Sequence, residues 1–179
     1  LFESSGFITR FDMYIWKSVC KTLAAWQDKG CKLVPISINV SMIDITNIDV
    51  PQYLSMLTEQ YHISPEYLPV EITESVFAES NTIVKNTITR FHKKGFYVLM
   101  DDFGSGYSSL NVLKDIAVDV LKIDMKFLSD TDQEGRSQNI LASVVRMAKW
   151  LNLPVIAEGV ERREQVDFLH SVGCEYVQG

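Results

Sequence analysis

The sequence predicts an α/β fold of the barrel type, and three observations carry that expectation. Short apolar runs alternate with amphipathic helical segments along the whole chain. The runs are apolar on both alternating faces, the pattern of parallel strands covered on either side. Each run also ends on a side chain able to do polar chemistry.

The runs are KLVPISI, YLPVEI, FYVLM, VDVLKI, LPVIA and EYV, each about the length of a buried strand. Residues 9–29 place Phe11, Ile15, Trp16, Val19, Leu23 and Trp26 at helical spacing, with Gly30 as the stop. Residues 80–94 start at Ser/Asn, carry Ile83, Val84, Ile88 and Phe91 on one face, and stop at Gly95. Residues 137–151 and 161–172 read the same way, the second closing at Gly173. A weaker helix is expected over 51–62, where Pro51 suits the first turn. No linker or low-complexity tract divides the 179 residues, so one domain is expected over 1–179.

Composition excludes some functions. The net charge is -6, and no basic cluster exceeds Lys93-Lys94 or Arg162-Arg163, so a nucleic-acid polymer is not an expected partner. No run of about 18 apolar residues is present to span a membrane, and LFESSGFITR lacks the layout of a signal peptide. Cys20, Cys31 and Cys174 are odd in number and far apart, which suggests reduced thiols and a cytoplasmic setting, with any membrane anchor lying in other domains of a parent protein. Leu1 is not an initiator Met, so a piece of a longer polypeptide is expected.

The strand ends are the informative part. The runs end on Asn39, Glu71, Asp101, Lys122, Glu158 and Gln178. They recur about every 28 residues, close to the roughly 31 of an eight-unit barrel of about 250 residues, where chemistry sits at the C-terminal ends of the strands. Glu71, Asp101 and Glu158 gathered in one mouth would repel one another unless protons or a cation intervene. Oxygen donors with no Cys or His beside them suit a hard ion, Mg²⁺ or Mn²⁺. His62, His92 and His170 fall in or beside helices at no ligand spacing and are read as structural. Neighbouring Asp101 and Asp102 can both face the mouth if the strand ends between them and Gly104 and Gly106 turn the chain. Two such carboxylates can hold two cations for in-line phosphoryl displacement, with Lys122 as the one positive charge. Asp102-Phe103-Gly104 matches a kinase metal-binding triplet, but the other kinase motifs are missing. Gly104-x-Gly106 likewise lacks the third glycine of a dinucleotide loop.

Taken in order, NVS at 39–41, EITES at 71–75, DDFGSGYSSL at 101–110, LKID at 121–124, AEGVE at 157–161 and QG at 178–179 resemble the EAL-domain family across essentially the whole chain. Those are bacterial phosphodiesterases that open cyclic di-GMP into linear pGpG. The resemblance implies a modified (β/α)₈ TIM-like barrel with a two-metal site. Asn39, Glu71 and Asp101 would ligate the first ion, Asp101 would bridge, and Asp102 would complete the second. Lys122 would hold the nucleophilic water, and Glu158 would act as general base or bind that water. Glu74 matches the glutamate that braces the DDFGSGYSS loop, which the family ties to metal binding and homodimer contacts. Glu161, Gln178, Ser105 and Gly106 would line the site.

The namesake Glu-Ala-Leu strand would lie upstream of Leu1, and the family continues past Gly179. The segment is therefore expected to be truncated at both ends and inactive by itself, within a parent that carries a sensory or GGDEF-type domain upstream. A catalytically inactive cyclic di-GMP receptor is the alternative reading, and an unrelated Mg²⁺ barrel enzyme with Lys122 as base is a third. Mg²⁺ or Mn²⁺ is the expected cofactor and Ca²⁺ an inhibitor.

Overall fold

The structure is a computed structural model, and it describes residues 7–78, 82–104, 117–125 and 136–179. Its helices are α1 (Phe7–Asp28), α2 (Met42–Asn47), α3 (Val50–Gln60), α4 (Glu74–Ala78), α5 (Thr82–Lys93), α6 (Arg136–Trp150) and α7 (Arg163–Val172). The strands are β1 (Ile38–Asn39), β2 (Val70–Thr73), β3 (Val98–Asp101), β4 (Val120–Asp124), β5 (Val155–Glu158) and β6 (Tyr176–Gln178). They run in chain order, β1-β2-β3-β4-β5-β6, in one sheet, and every pairing described is parallel. The expected α/β architecture is present.

The chain forms two compact units: Leu1–Ile72 with Glu79–Val98, and Thr73–Ala78 with Leu99–Gly179. In the first unit, Asn39 pairs with Glu71 across β1 and β2, and Val70 N–H donates to the Tyr97 carbonyl. Helix α1 buries Trp16, Cys20 and Leu23, and α3 buries Leu54 and Leu57. Helix α5 turns Val84, Ile88 and Phe91 inward, where Phe91 meets Phe96 edge-on with ring centroids 6.0 Å apart. In the second unit, β4 and β5 keep Leu121, Ile123, Val155 and Ala157 buried, with Leu141 and Val145 of α6 and Leu169 of α7 as further core.

Five helices end by one device. Gly30, His62, Gly95, Asn152 and Gly173 all have φ between 54° and 91°. In each case the next residue's N–H reaches back five positions, as from Cys31 to Trp26 and from Ile63 to Thr58, satisfying carbonyls the helix leaves open. The glycine stops behave as the sequence predicts. His62 and Asn152 fill the same left-handed position, which explains why His62 sits beside a helix without ligand geometry.

Several expectations change. Of the KLVPISI run only Ile38 is strand, continuing to Asn39, while Ile36 N–H also donates to the Tyr67 carbonyl. Helices α2 and α4 were not expected. Helix α2 is nucleated by a reciprocal cap, Ser41 Oγ accepting from Asp44 N–H while Asp44 accepts from Ser41 N–H. The expected burial of EYV fails: all three residues of β6 are exposed, because β6 stands last in the sheet order and pairs with β5.

Candidate active site

In the first unit, the parallel register sets Asn39 directly beside Glu71. Val40 N–H donates to the Glu71 carbonyl at 2.9 Å, which fixes the two backbones together. The Glu71 side chain is buried, while Asn39 is exposed at the strand end. Trp16 of α1 donates its indole N–H to the Asn39 carbonyl at 3.0 Å, tying the start of the β1–α2 turn to a buried helix face. Two oxygen-bearing side chains are thus adjacent.

The second unit assembles the charged cluster. Lys122 pairs in register with Ile156, two residues before Glu158, so the alternation of the strands puts Lys122 and Glu158 on one face. The Lys122 ammonium lies 2.6 Å from Glu158 Oε1 and 3.4 Å from Asp101 Oδ1. Only 3% of Lys122 is exposed. A buried ammonium is tolerated when anions surround it. Here two carboxylates from the ends of β3 and β5 supply that charge.

Asp102 follows immediately with φ 56°, a left-handed backbone that Asp tolerates better than most residues, and its N–H donates to Asp101 Oδ1 at 3.0 Å. The turn the sequence implied after Asp101 is therefore present and begins at Asp102, two residues before the first glycine. Buried Glu74, first residue of α4, accepts the Gly104 N–H at 2.9 Å. Ser105 and Gly106 lie outside the described residues.

Glu158 and Gln178 are register partners, and Val160 N–H donates to the Gln178 carbonyl at 3.1 Å. With Glu161, Asp124, Gly159 and Gly179 they line a cleft of about 410 Å³. Asp124 is the residue that sequence reasoning missed. That reading ended the strand's chemistry at Lys122, whereas β4 runs on to Asp124, which pairs with Glu158. The signal was available in LKID: residues 122 and 124 are two apart on a strand and share a face.

The donors fit a hard divalent ion in kind, since the strand ends offer carboxylate and amide oxygens and none offers sulfur or imidazole. Among the described residues no group of three or more His, Cys, Asp or Glu is gathered closely enough to hold a metal. In the second unit it is the Lys122 ammonium that stands between the carboxylates of Asp101 and Glu158. No helix among the described residues is long and apolar enough to cross a membrane.

Comparison with known proteins gives the family. The EAL domain family matches residues 1–179. The chain is 34% identical over 179 residues to the cyclic di-GMP phosphodiesterase PdeR of Escherichia coli (strain K12), covering 99% of this chain and 27% of that protein. The solved PaMucR phosphodiesterase in complex with c-di-GMP matches with a TM-score of 0.89 and 27% identity, over 100% of this chain and 78% of its own. Klebsiella pneumoniae BlrP1, solved as a manganese/cyclic di-GMP complex, matches with a TM-score of 0.83 and 28% identity, over 96% of this chain and 43% of its own. The chain spans between about a fifth and a third of the length of the first curated relatives it matches. Motif order, parallel sheet and whole-length match place this chain in the EAL domain family.

Proposed function

We propose that the chain is a metal-dependent EAL phosphodiesterase domain that hydrolyses cyclic di-GMP to linear pGpG. The observation that carries this reading is the buried Lys122 ammonium held between Asp101 and Glu158 at the strand ends, in a family whose relatives include named cyclic di-GMP phosphodiesterases. Asn39, Glu71, Asp101 and Asp102 are read as the residues that would hold Mg²⁺ or Mn²⁺. The bound ions would activate a water and neutralise phosphate charge.

The chain's own groups supply the rest. Lys122 can donate to the attacking water while its ion pair keeps the Glu158 carboxylate in place. Glu158 can accept the proton as the water oxygen bonds to phosphorus. The phosphorus–O3′ bond breaks, and the 3′ oxygen leaves and takes up a proton, giving a 5′-phosphate and a free 3′-hydroxyl. Glu161, Gln178 and Asp124 line the cleft beside Glu158 and suit hydrogen bonding to substrate. Ser105 and Gly106 keep the substrate-lining role the resemblance implies.

The reading extends to a single domain over 1–179, a cytoplasmic setting, a homodimer, and linkage to a sensory or GGDEF-type module. The linkage is supported by the small share of each relative that this chain spans. Incubating the full protein with cyclic di-GMP and Mg²⁺ should produce pGpG; an unchanged cyclic nucleotide at every Mg²⁺ and Mn²⁺ concentration overturns the assignment in favour of a receptor. Ca²⁺ is larger and more loosely coordinated, so it should bind and support little turnover. Equal rates with Ca²⁺ and Mg²⁺ would contradict tightly placed ions.

A further inference from the structure

A second acidic pair lies away from the Lys122 cluster, in the first unit. Asp44, the third residue of α2, is fully buried. Its Oδ2 is engaged, accepting from Ser41 N–H at 3.0 Å and from Ser41 Oγ–H at 2.6 Å. Its Oδ1 is buried with no hydrogen-bond partner. A buried carboxylate oxygen left in that state is costly, and the group that can relieve it is close by: the Asp12 carboxyl of α1 is near enough to feel the Asp44 charge and, once a proton is present, to bond to it. Two carboxyls can hydrogen-bond only if one of them carries a proton.

The surroundings give that contact a purpose. Thr9, Asp12 and Trp16 follow one another along one face of α1 at helical spacing. Asn47 at the far end of α2 donates to Thr9 Oγ1 at 3.4 Å, and Trp16 donates to the Asn39 carbonyl at 3.0 Å. The three residues thus grip the β1–α2 segment at its start, middle and end, with Asp12 in the centre. We propose that Asp12 and Asp44 share one proton, and that this protonated pair is the clasp by which α1 positions the turn bearing Asn39. The positioning role rests on reading Asn39 as a metal ligand; the shared proton does not.

Burial, reinforced by the charge of Asp44, pushes the Asp12 carboxyl from 3.8 up to about 6. Asp44 is the charged neighbour that acts on it among the described residues. From α3 the nearby titratable group is Tyr53, its ring 6.0 Å from that of Trp16, and from α1 itself Cys20. Both are pushed upward, Cys20 to about 11, and so are neutral at physiological pH. The folded state therefore binds the proton more tightly than the unfolded chain. Stability from this pair is fully present below about 3.8 and is lost as pH rises to about 6.

Carboxyl carbon NMR of the full protein, with Asp12→Asn and Asp12→Ala, tests this. The Asp12→Asn amide N–H can stand in for the shared proton at any pH. One carboxyl should titrate near 6 and vanish in both variants. The wild-type melting temperature should fall relative to Asp12→Asn by about 2 to 4 °C between pH 5 and pH 7.5, since a 179-residue chain responds only gently to one titrating pair. An Asp12 carboxyl titrating near 4, or an equal gap at both pH values, overturns the shared proton. Mn²⁺ affinity by electron paramagnetic resonance, with no turnover involved, should weaken several-fold in Asp12→Ala and stay unchanged in Asp12→Asn. Equal affinity in all three proteins overturns the positioning role, and leaves the phosphodiesterase reading to its own product assay.

Discussion

Replacing Lys122 by Met keeps the length of a buried side chain and removes its charge. At an effective dielectric of about 20, unit charges at 2.6 Å and 3.4 Å attract by roughly 6 and 5 kcal/mol before desolvation is counted. Desolvation of the three groups offsets much of this, and deleting one partner of a buried pair costs about 3–5 kcal/mol in practice. The Asp101 and Glu158 side chains keep 14% and 20% exposure, so water screens part of the lost attraction and the low end, about 3 kcal/mol, is expected. For a chain of this size that is a fall of about 6 to 12 °C in Tm. Thermal melts of Lys122→Met, Glu158→Gln and the double variant should show a coupling of about 1–3 kcal/mol, because once the ammonium is gone the Glu158 charge becomes a liability. Mg²⁺ should stabilise Lys122→Met more than wild type, since it can replace the missing positive charge. A Lys122→Met protein melting within about 1 °C of wild type, with no coupling to Glu158, would refute the ion triad.

Three further outcomes follow from the same geometry. Asp101→Asn should lower pGpG formation by about 10²-fold or more, the usual scale for losing one preorganised electrostatic partner; wild-type turnover in product chromatography would remove Asp101 from the site. Glu74→Ala should cost about 1.5–3 kcal/mol in urea unfolding through the lost charge-assisted bond from Gly104 N–H, while Glu74→Gln, which keeps an acceptor, should recover part of it. The Arg90 guanidinium beside Asp49 holds that carboxyl below its ordinary value, so its contribution is present at neutral pH and fades as pH falls through the usual carboxylate range. Both groups are exposed, so Arg90→Ala should change stability by no more than about 1 kcal/mol at pH 7, measured by denaturant titration.

Much of the frame is readable from short-range rules. Five of the helices fall within a few residues of the predicted spans, because apolar spacing and the Gly30, Gly95 and Gly173 stops are local signals. Asp101, Glu158 and Gln178 are strand ends in fact as in expectation. β4 was cut short at Lys122, since an alternating Lys-Ile-Asp ending resembles a loop when burial is judged from polarity. Helix α2 carries no repeating apolar pattern because its six residues make fewer than two turns, although Ser41 and Asp44 carry its cap. His62 and Asn152 fill left-handed positions that glycine usually signals, and Asn and His there are weaker cues than glycine. The Asp12–Asp44 contact joins residues far apart in the chain, and local pattern does not encode it.

The indole bond from Trp16 to the Asn39 carbonyl has a practical corollary. Of three tryptophans, Trp16 is almost wholly enclosed and Trp150 almost wholly bare, so their side-chain N–H signals should separate widely in chemical shift and in solvent exchange. The protein thereby holds a native spectroscopic reporter beside the strand end that bears Asn39. Any effector that loosens the first strand should register as faster exchange of that single proton, with no label introduced.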